Sequence, residues 1–312
     1  MAGQNTSILA SDYNTIQTKI ARILGATVND GDYGYGQTVT SSQVDTTRTI
    51  RVEQWLNLQN DIAKARSHQT GLDESFSSLQ TPTTSKKVSE SIRSAMLTKA
   101  TDADTNRLVV ASSKASEVDI ISPVIRSTAW NGNISHLVQV SFTSFDNARY
   151  FFNAGGQIRF SASLSGGTSG SVNTKDWTWA QMFATMTSIN FGAYQTTSPD
   201  GSSTSIITPN SGFYYMTTTP IQIYNKAAPG SSAYSLNDYF LTARFTNSNK
   251  NVLEFYITLA DSSLAPPSTP DPGFGIDENV TGTIYSYCKA YYPSGAGNVY
   301  VPAPPASATA WA

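Results

Sequence analysis

The apolar residues of this chain change their spacing near residue 105. Before that point they recur every three or four positions, and after it they alternate. A helix repeats its face about every 3.6 residues and a strand every second residue, so the two stretches cannot be built from one kind of element. In the first stretch Leu9, Tyr13, Ile16, Ile20 and Leu24 form one stripe. Ser7 or Ser11 can cap the start of that helix and Gly25 can end it. A Gly/Tyr-rich link, NDGDYGYGQT, follows. A second helix is predicted over 52–67, with Trp55, Leu58, Ile62 and Ala65 on one face. A third is predicted over 86–100, with Val88, Ile92, Ala95 or Met96 and Lys99 along it. Neither is long enough to be stable alone, so both need a partner surface.

In the second stretch the pattern has period two. LVQVSF (137–142) alternates. One face each is formed by Ile158, Phe160, Ala162 and Leu164; by Tyr239, Leu241, Ala243 and Phe245; and by Leu253, Phe255, Ile257 and Leu259. In the last such segment Ile284, Ser286, Cys288 and Ala290 oppose Tyr285, Tyr287, Lys289 and Tyr291. One-sided alternation of this kind marks antiparallel strands with one buried face. Repeated strands without long helices between them favour a sandwich. One short helix interrupts: Asp176 can cap WTWAQMFATMTSI, with Trp179, Met182 or Phe183 and Met186 inward. Residues 165–173 and SPDGSSTS read as flexible loops, and APPSTPDPGFG as a stiff connection. The prolines of NVYVPAPPASATAWA prevent a central strand. The expected fold is α+β: a helical attachment or oligomerisation region over 1–105, then a mainly antiparallel, jelly-roll-like β-sandwich over 106–312 with a Pro-rich C-terminal tail.

Composition narrows the function classes. Charged residues make up 13%, against about 25% in an average soluble chain. Hydrophobic and aromatic contents of 39% and 11% argue against disorder. The net charge is −2 with no basic run, which speaks against nucleic acid or an anionic membrane as partner. The first residues lack the basic and apolar regions of a signal peptide, and no apolar window reaches the about 18 residues of a membrane span. Cys288 is the only cysteine, so an internal disulfide is excluded; its position on the inward face makes it a small core residue. These features suit a chain folded in a cytoplasm and exposed later.

Few residues carry chemistry. His68 and His136 are the only histidines, and no serine sits in a nucleophile elbow. Asp102, Asp104 and Asn106 have the spacing that opens a calcium loop, but Arg107 stands where the turn needs glycine, and Ser113 where a bidentate Glu belongs. GGTSG lacks the Gly-Lys-Ser/Thr of a phosphate loop. No spacing suits zinc. Tyr285, Tyr287 and Tyr291 form an outward stripe that fits either a subunit contact or a sugar-stacking surface. In RYFFNAGGQIRFSAS (149–163), Asn153, Gly155 and Gly156 suit a tight hairpin between a strand ending at Phe152 and one starting near Gln157. Arg149 and Arg159 would then lie near one another or reach acidic partners, and a buried Arg159 needs a carboxylate partner in a structural ion pair.

The segments ILASDYNTIQTKIARILG, GYGQTVTSSQV, YFFNAGGQIRFSASLSGG, DWTWAQMF and DENVTGT…NVYVPAP resemble virion structural proteins of tailed bacteriophages, of the tail-fibre-like or neck-collar type found in cyanophage-like contractile-tailed phages. The similarity runs over most of the chain. It implies a non-enzymatic component made in the host cytoplasm and carried in the virion, with no cofactor and no catalytic residues. It implies as partners further copies of the chain (a trimer or ring-bound copies) and other neck or tail proteins. A host-surface glycan is the alternative partner, for a receptor-binding adhesin.

Overall fold

The computed structural model describes residues 9–45, 47, 49–74, 88–172, 174–199, 210–229, 234–262 and 278–312. The Ser7 cap, the expected third-helix start at Lys86, most of SPDGSSTS and all of APPSTPDPGFG lie outside the described residues. The chain divides into two compact units, each assembled from three stretches. The first takes Met1–Ser116, Asp146–Gly156 and Tyr292–Pro302; the second takes Glu117–Phe145, Gln157–Tyr291 and Ala303–Ala312.

The first unit is built on helices. In α1 (Ala10–Leu24) Tyr13, Ile16, Ile20, Ile23 and Leu24 are fully buried. Leu9 stays 61% exposed, outside the stripe. The helix start is held by Asp12, whose carboxylate accepts the Leu9 N–H at 3.1 Å, and Ser11 lies within the first turn. In α2 (Val52–Thr70) the predicted face is buried, and Trp55 meets Tyr13 edge-on at 5.1 Å. The third helix, α3 (Glu90–Thr105), starts later and runs further than its spacing suggested; Ser89 caps it by accepting the Ile92 N–H. Residues 292–302 close the unit: Val299 and Val301 are buried, and the Gln37 side chain donates to Tyr300 O at 2.8 Å while accepting its N–H at 3.2 Å.

The RYFFN stretch is helical, not the end of a strand. It belongs to α4 (Phe145–Asn153), whose Ala148, Phe151 and Phe152 are buried at helical spacing. The glycines end this helix rather than turning a hairpin. Gly156 N–H donates to Phe151 O at 2.9 Å, and Gly155 N–H to Phe152 O at 3.1 Å. With Gly155 at φ 83°, these bonds form the left-handed cap that satisfies a helix's last carbonyls.

The second unit is a sandwich of two antiparallel sheets. One sheet contains β1 (Ala115–Asp119), β2 (Val124–Arg126), β4 (Gln157–Ser165), β5 (Ile189–Phe191), β6 (Thr196–Thr197) and β10 (Thr283–Pro293). Its order is β1-β10-β4-β5-β6, with β2 also on β10. The other has β3 (Ile134–Ser141), β7 (Ile221–Ala227), β8 (Asp238–Phe245), β9 (Val252–Ala260) and β11 (Ala306–Ala308), in the order β11-β3-β9-β8-β7. The residues predicted inward on β4, β8, β9 and β10 are buried, apart from a half-buried Leu164. Phe255 of one sheet meets Phe160 and Phe191 of the other at 4.8 and 5.1 Å. Each such ring stabilises the sandwich by about 1.5–3 kcal/mol through loss of water contact.

α5 (Lys175–Met186) buries Trp179, Met182, Phe183 and Met186. Its cap is Thr174, which accepts the Trp177 N–H at 3.1 Å. Asp176, expected there, instead accepts backbone N–H bonds from Thr168, Thr281 and Gly282 at 2.8–3.0 Å. After its prolines the tail adds β11 to the edge of β3. Trp311 then packs edge-on against His136 at 4.3 Å and donates to Val124 O, which ties the two sheets. No described helix is long and apolar enough to cross a membrane.

Candidate functional site

β10 lies inside its sheet, so its outward residues have neighbours on both sides. Tyr285 stands opposite Ile125 of β2 and Ser163 of β4, Tyr287 opposite Ser161, Lys289 opposite Arg159, and Tyr291 opposite Gln157. The tyrosines are half-buried, and Ile125 is 54% exposed. The Tyr285 and Tyr287 rings are nearly parallel, 16° apart in plane and 6.4 Å between centroids. The upper part of this face is therefore apolar and aromatic, with a serine margin.

The lower part is charged. Arg159 donates to Glu117 Oε2 at 2.8 Å and to Gln157 Oε1 at 3.1 and 2.9 Å, and its guanidinium lies 3.9 Å from the Tyr291 ring centre. Lys289 reaches the other Glu117 oxygen at 3.1 Å. Partial burial pulls the Glu117 carboxyl up, but the bonds from Arg159 and Lys289 outweigh it and hold it below its usual range. Arg159 thus serves its own sheet. Arg149, expected either beside it or at an acidic partner, belongs to the first unit and pairs with Asp146.

Neither histidine faces solvent. His68 in α2 is fully buried, with Nε2 3.0 Å from Ala154 O. His136 on β3 is 3% exposed, with Nε2 2.8 Å from Ser286 Oγ. Burial pushes both imidazoles down to about 4, so both are neutral at pH 7. The Ser286–His136 pair has the contact of a nucleophile and its base, but Ser286 is 2% exposed and Trp311 packs on the imidazole. Nδ1 of His136 meets no carboxylate among the described residues. The pair bridges the two sheets. Cys288 is buried, which pushes its thiol well up.

Asp61, Asp104 and Glu74 are engaged in holding backbone or basic side chains. Asp102 and Asp104 sit in the last turns of α3, so they open no loop, and Asp104 pairs with Lys19 at 2.9 Å. In the first unit a polar cleft of about 370 Å³ is lined by Thr40, Asn60, Asp61, Lys64, Asp73 and Glu74. Asp61 accepts the Thr40 and Ser41 N–H groups at 3.1 and 2.7 Å, and Glu74 pairs with Lys99 and Arg66. Among the described residues no group of three or more His, Cys, Asp or Glu could hold a metal.

Sequence reasoning missed two buried cations. Arg149 is fully buried and donates to Thr27 O, Gly31 O and Tyr33 O, besides pairing with Asp146 at 2.8 Å. Removing it takes a donor from three carbonyls and a carboxylate; Tyr150 and Asn153 still donate to Thr27 O and Tyr33 O, so the expected cost is about 1–3 kcal/mol. Its signal was Asp146 three residues before it, legible only once α4 is read as a helix. Lys175 is the other, buried at the start of α5. Comparison with protein-family models, curated proteins and solved structures finds no match.

Proposed function

We propose that this chain is a non-enzymatic virion structural protein of a tailed bacteriophage, a neck, collar or tail-fibre-like component that assembles as a homo-oligomer with other neck or tail proteins. The resemblance over most of the chain supports the reading. The structural observation that carries it is the outer face of β10, with Ile125, Tyr285 and Tyr287 at its centre. Around them lie Ser161, Ser163 and the Arg159–Glu117–Lys289 ion pairs. An apolar, aromatic centre within a polar rim is the anatomy of a subunit contact. Light scattering on the full chain is expected to give one closed oligomer. The double variant Ile125→Asp, Tyr287→Asp is expected to shift it to monomer with unchanged circular dichroism. A monodisperse wild-type monomer, together with its absence from purified virions, sinks the reading.

A second reading makes the same face a glycan-binding surface of an adhesin. The parallel Tyr285 and Tyr287 rings favour it, since flat aromatic faces beside hydroxyl groups suit a sugar. Glycan-array binding by the intact oligomer, lost in Tyr287→Ala without change of oligomeric state, would support it. No binding by the intact oligomer would count against it.

A further inference from the structure

Lys175 opens α5 with no exposure to solvent. Among the described residues its ammonium meets Asp261 Oδ2 at 2.7 Å and Asn131 Oδ1 at 3.0 Å, side-chain oxygens from distant parts of the second unit. Asp261 directly follows β9, and its side chain is 1% exposed. Asn131 precedes β3 and forms the solvent-side rim of the cluster. The Gly132 N–H donates to both oxygens, at 2.9 Å to Asn131 Oδ1 and 3.1 Å to Asp261 Oδ2. Trp179, one turn along α5, and Trp130, beside Asn131, are both buried with ring centres 5.6 Å apart. The Tyr234 ring centre lies 5.6 Å from the ammonium.

An ion pair alone is a weak reason for this burial, because taking both charges out of water costs more than their attraction commonly returns. The third member gives the cluster a chemistry. An amine, a carboxamide and a carboxyl are held together beside indoles, with the amine in hydrogen-bond contact with both of the others.

We propose that Lys175 and Asn131 become joined by an autocatalytic amide bond, with Asp261 carrying the proton. Asp261 takes one proton from the ammonium and frees the Nζ lone pair. Nζ attacks Asn131 Cγ, whose Oδ1 is polarised by the Gly132 N–H. In the tetrahedral adduct a proton moves from Nζ to Nδ2, and the Cγ–Nδ2 bond breaks. Ammonia departs, takes back the proton held by Asp261 and leaves as ammonium. The Nζ–Cγ bond is gained, the Cγ–Nδ2 bond is lost, and no oxidant or further reactant is needed. The link ties α5 to the segment before β3 across 44 positions of sequence, a covalent clamp in a chain whose only cysteine excludes a disulfide. It stands independently of the proposed function.

Intact mass spectrometry on the purified full chain tests it. The expected mass is below the sequence mass by one ammonia. Trypsin should leave Lys175 uncut and release peptide 127–149 joined to the peptide that starts at Phe160. Asn131→Ala keeps the Lys175–Asp261 pair, so it is expected to fold and to show its full sequence mass; Lys175→Arg should do the same. A folded wild type at full sequence mass overturns the proposal. So does loss of one water, which would place the bond between Lys175 and Asp261. Loss of ammonia confined to peptide 127–149 and unaffected by Lys175→Arg also overturns it, because that is ring closure of Asn131 onto Gly132.

Discussion

The two histidines carry the sharpest consequence at the scale of single residues. Burial lowers both from an ordinary 6.5 to about 4. Between those values the unfolded chain binds protons that the folded chain refuses. Stability is therefore complete above about pH 6.5 and falls as the pH drops towards 4. Each histidine contributes a slope of about 1.4 kcal/mol per pH unit. The carboxylates held below their usual range, Asp176 and Glu254 among them, act in a lower window. Their contribution is present above about pH 4 and lost as the pH falls further. Urea unfolding at pH 7 and pH 5 should show a clear loss, and His68→Gln should reduce that loss. Equal midpoints at the two pH values would contradict neutral burial of the imidazoles.

At the scale of elements, the cap of α4 makes a prediction that a hairpin would not. A Cβ on Gly155 would sit 2.6 Å from Val110 N at a positive φ, and one on Gly156 would sit 2.5 Å from Phe151 O. Gly155→Ala and Gly156→Ala are each expected to cost about 1–3 kcal/mol, read as a fall in thermal midpoint. A midpoint unchanged in both would remove the cap. The same helix marks where the sequence stops being legible. Three aromatics in a row satisfy both periods, and nine residues are too few to separate them; only Ala148, three and four positions earlier, gives the helical register. The strands were legible because each buries one face, so inward and outward residues of β10 could be named in advance. The partners on that face could not. Glu117 lies 42 positions from Arg159, and Asp261 lies 86 from Lys175. A lysine at a helix start ordinarily points to water, so nothing in the local pattern marks this one as buried.

At the scale of the whole molecule, the change of period near residue 105 locates where helices give way to strands, but it does not delimit the first unit. That unit also takes residues 146–156 and 292–302. Local spacing cannot report such returns of the chain. A fragment of residues 1–105 lacks the Arg149 guanidinium that serves Thr27, Gly31 and Tyr33, and lacks the Ala154 carbonyl that meets His68. It is expected to retain helix yet melt without cooperativity, well below the full chain. A fragment with a sharp transition at the full-chain temperature would show that the later segments are dispensable.

The bond pair between Gln37 and Tyr300 has a bearing on birth as well as on stability. A ribosome delivers about 5–20 residues per second. Residue 302 therefore emerges roughly 10–40 s after residue 116. Throughout that interval the opening helices wait for a segment not yet translated. The part of the protein that is made first is completed only after most of the second unit has been made.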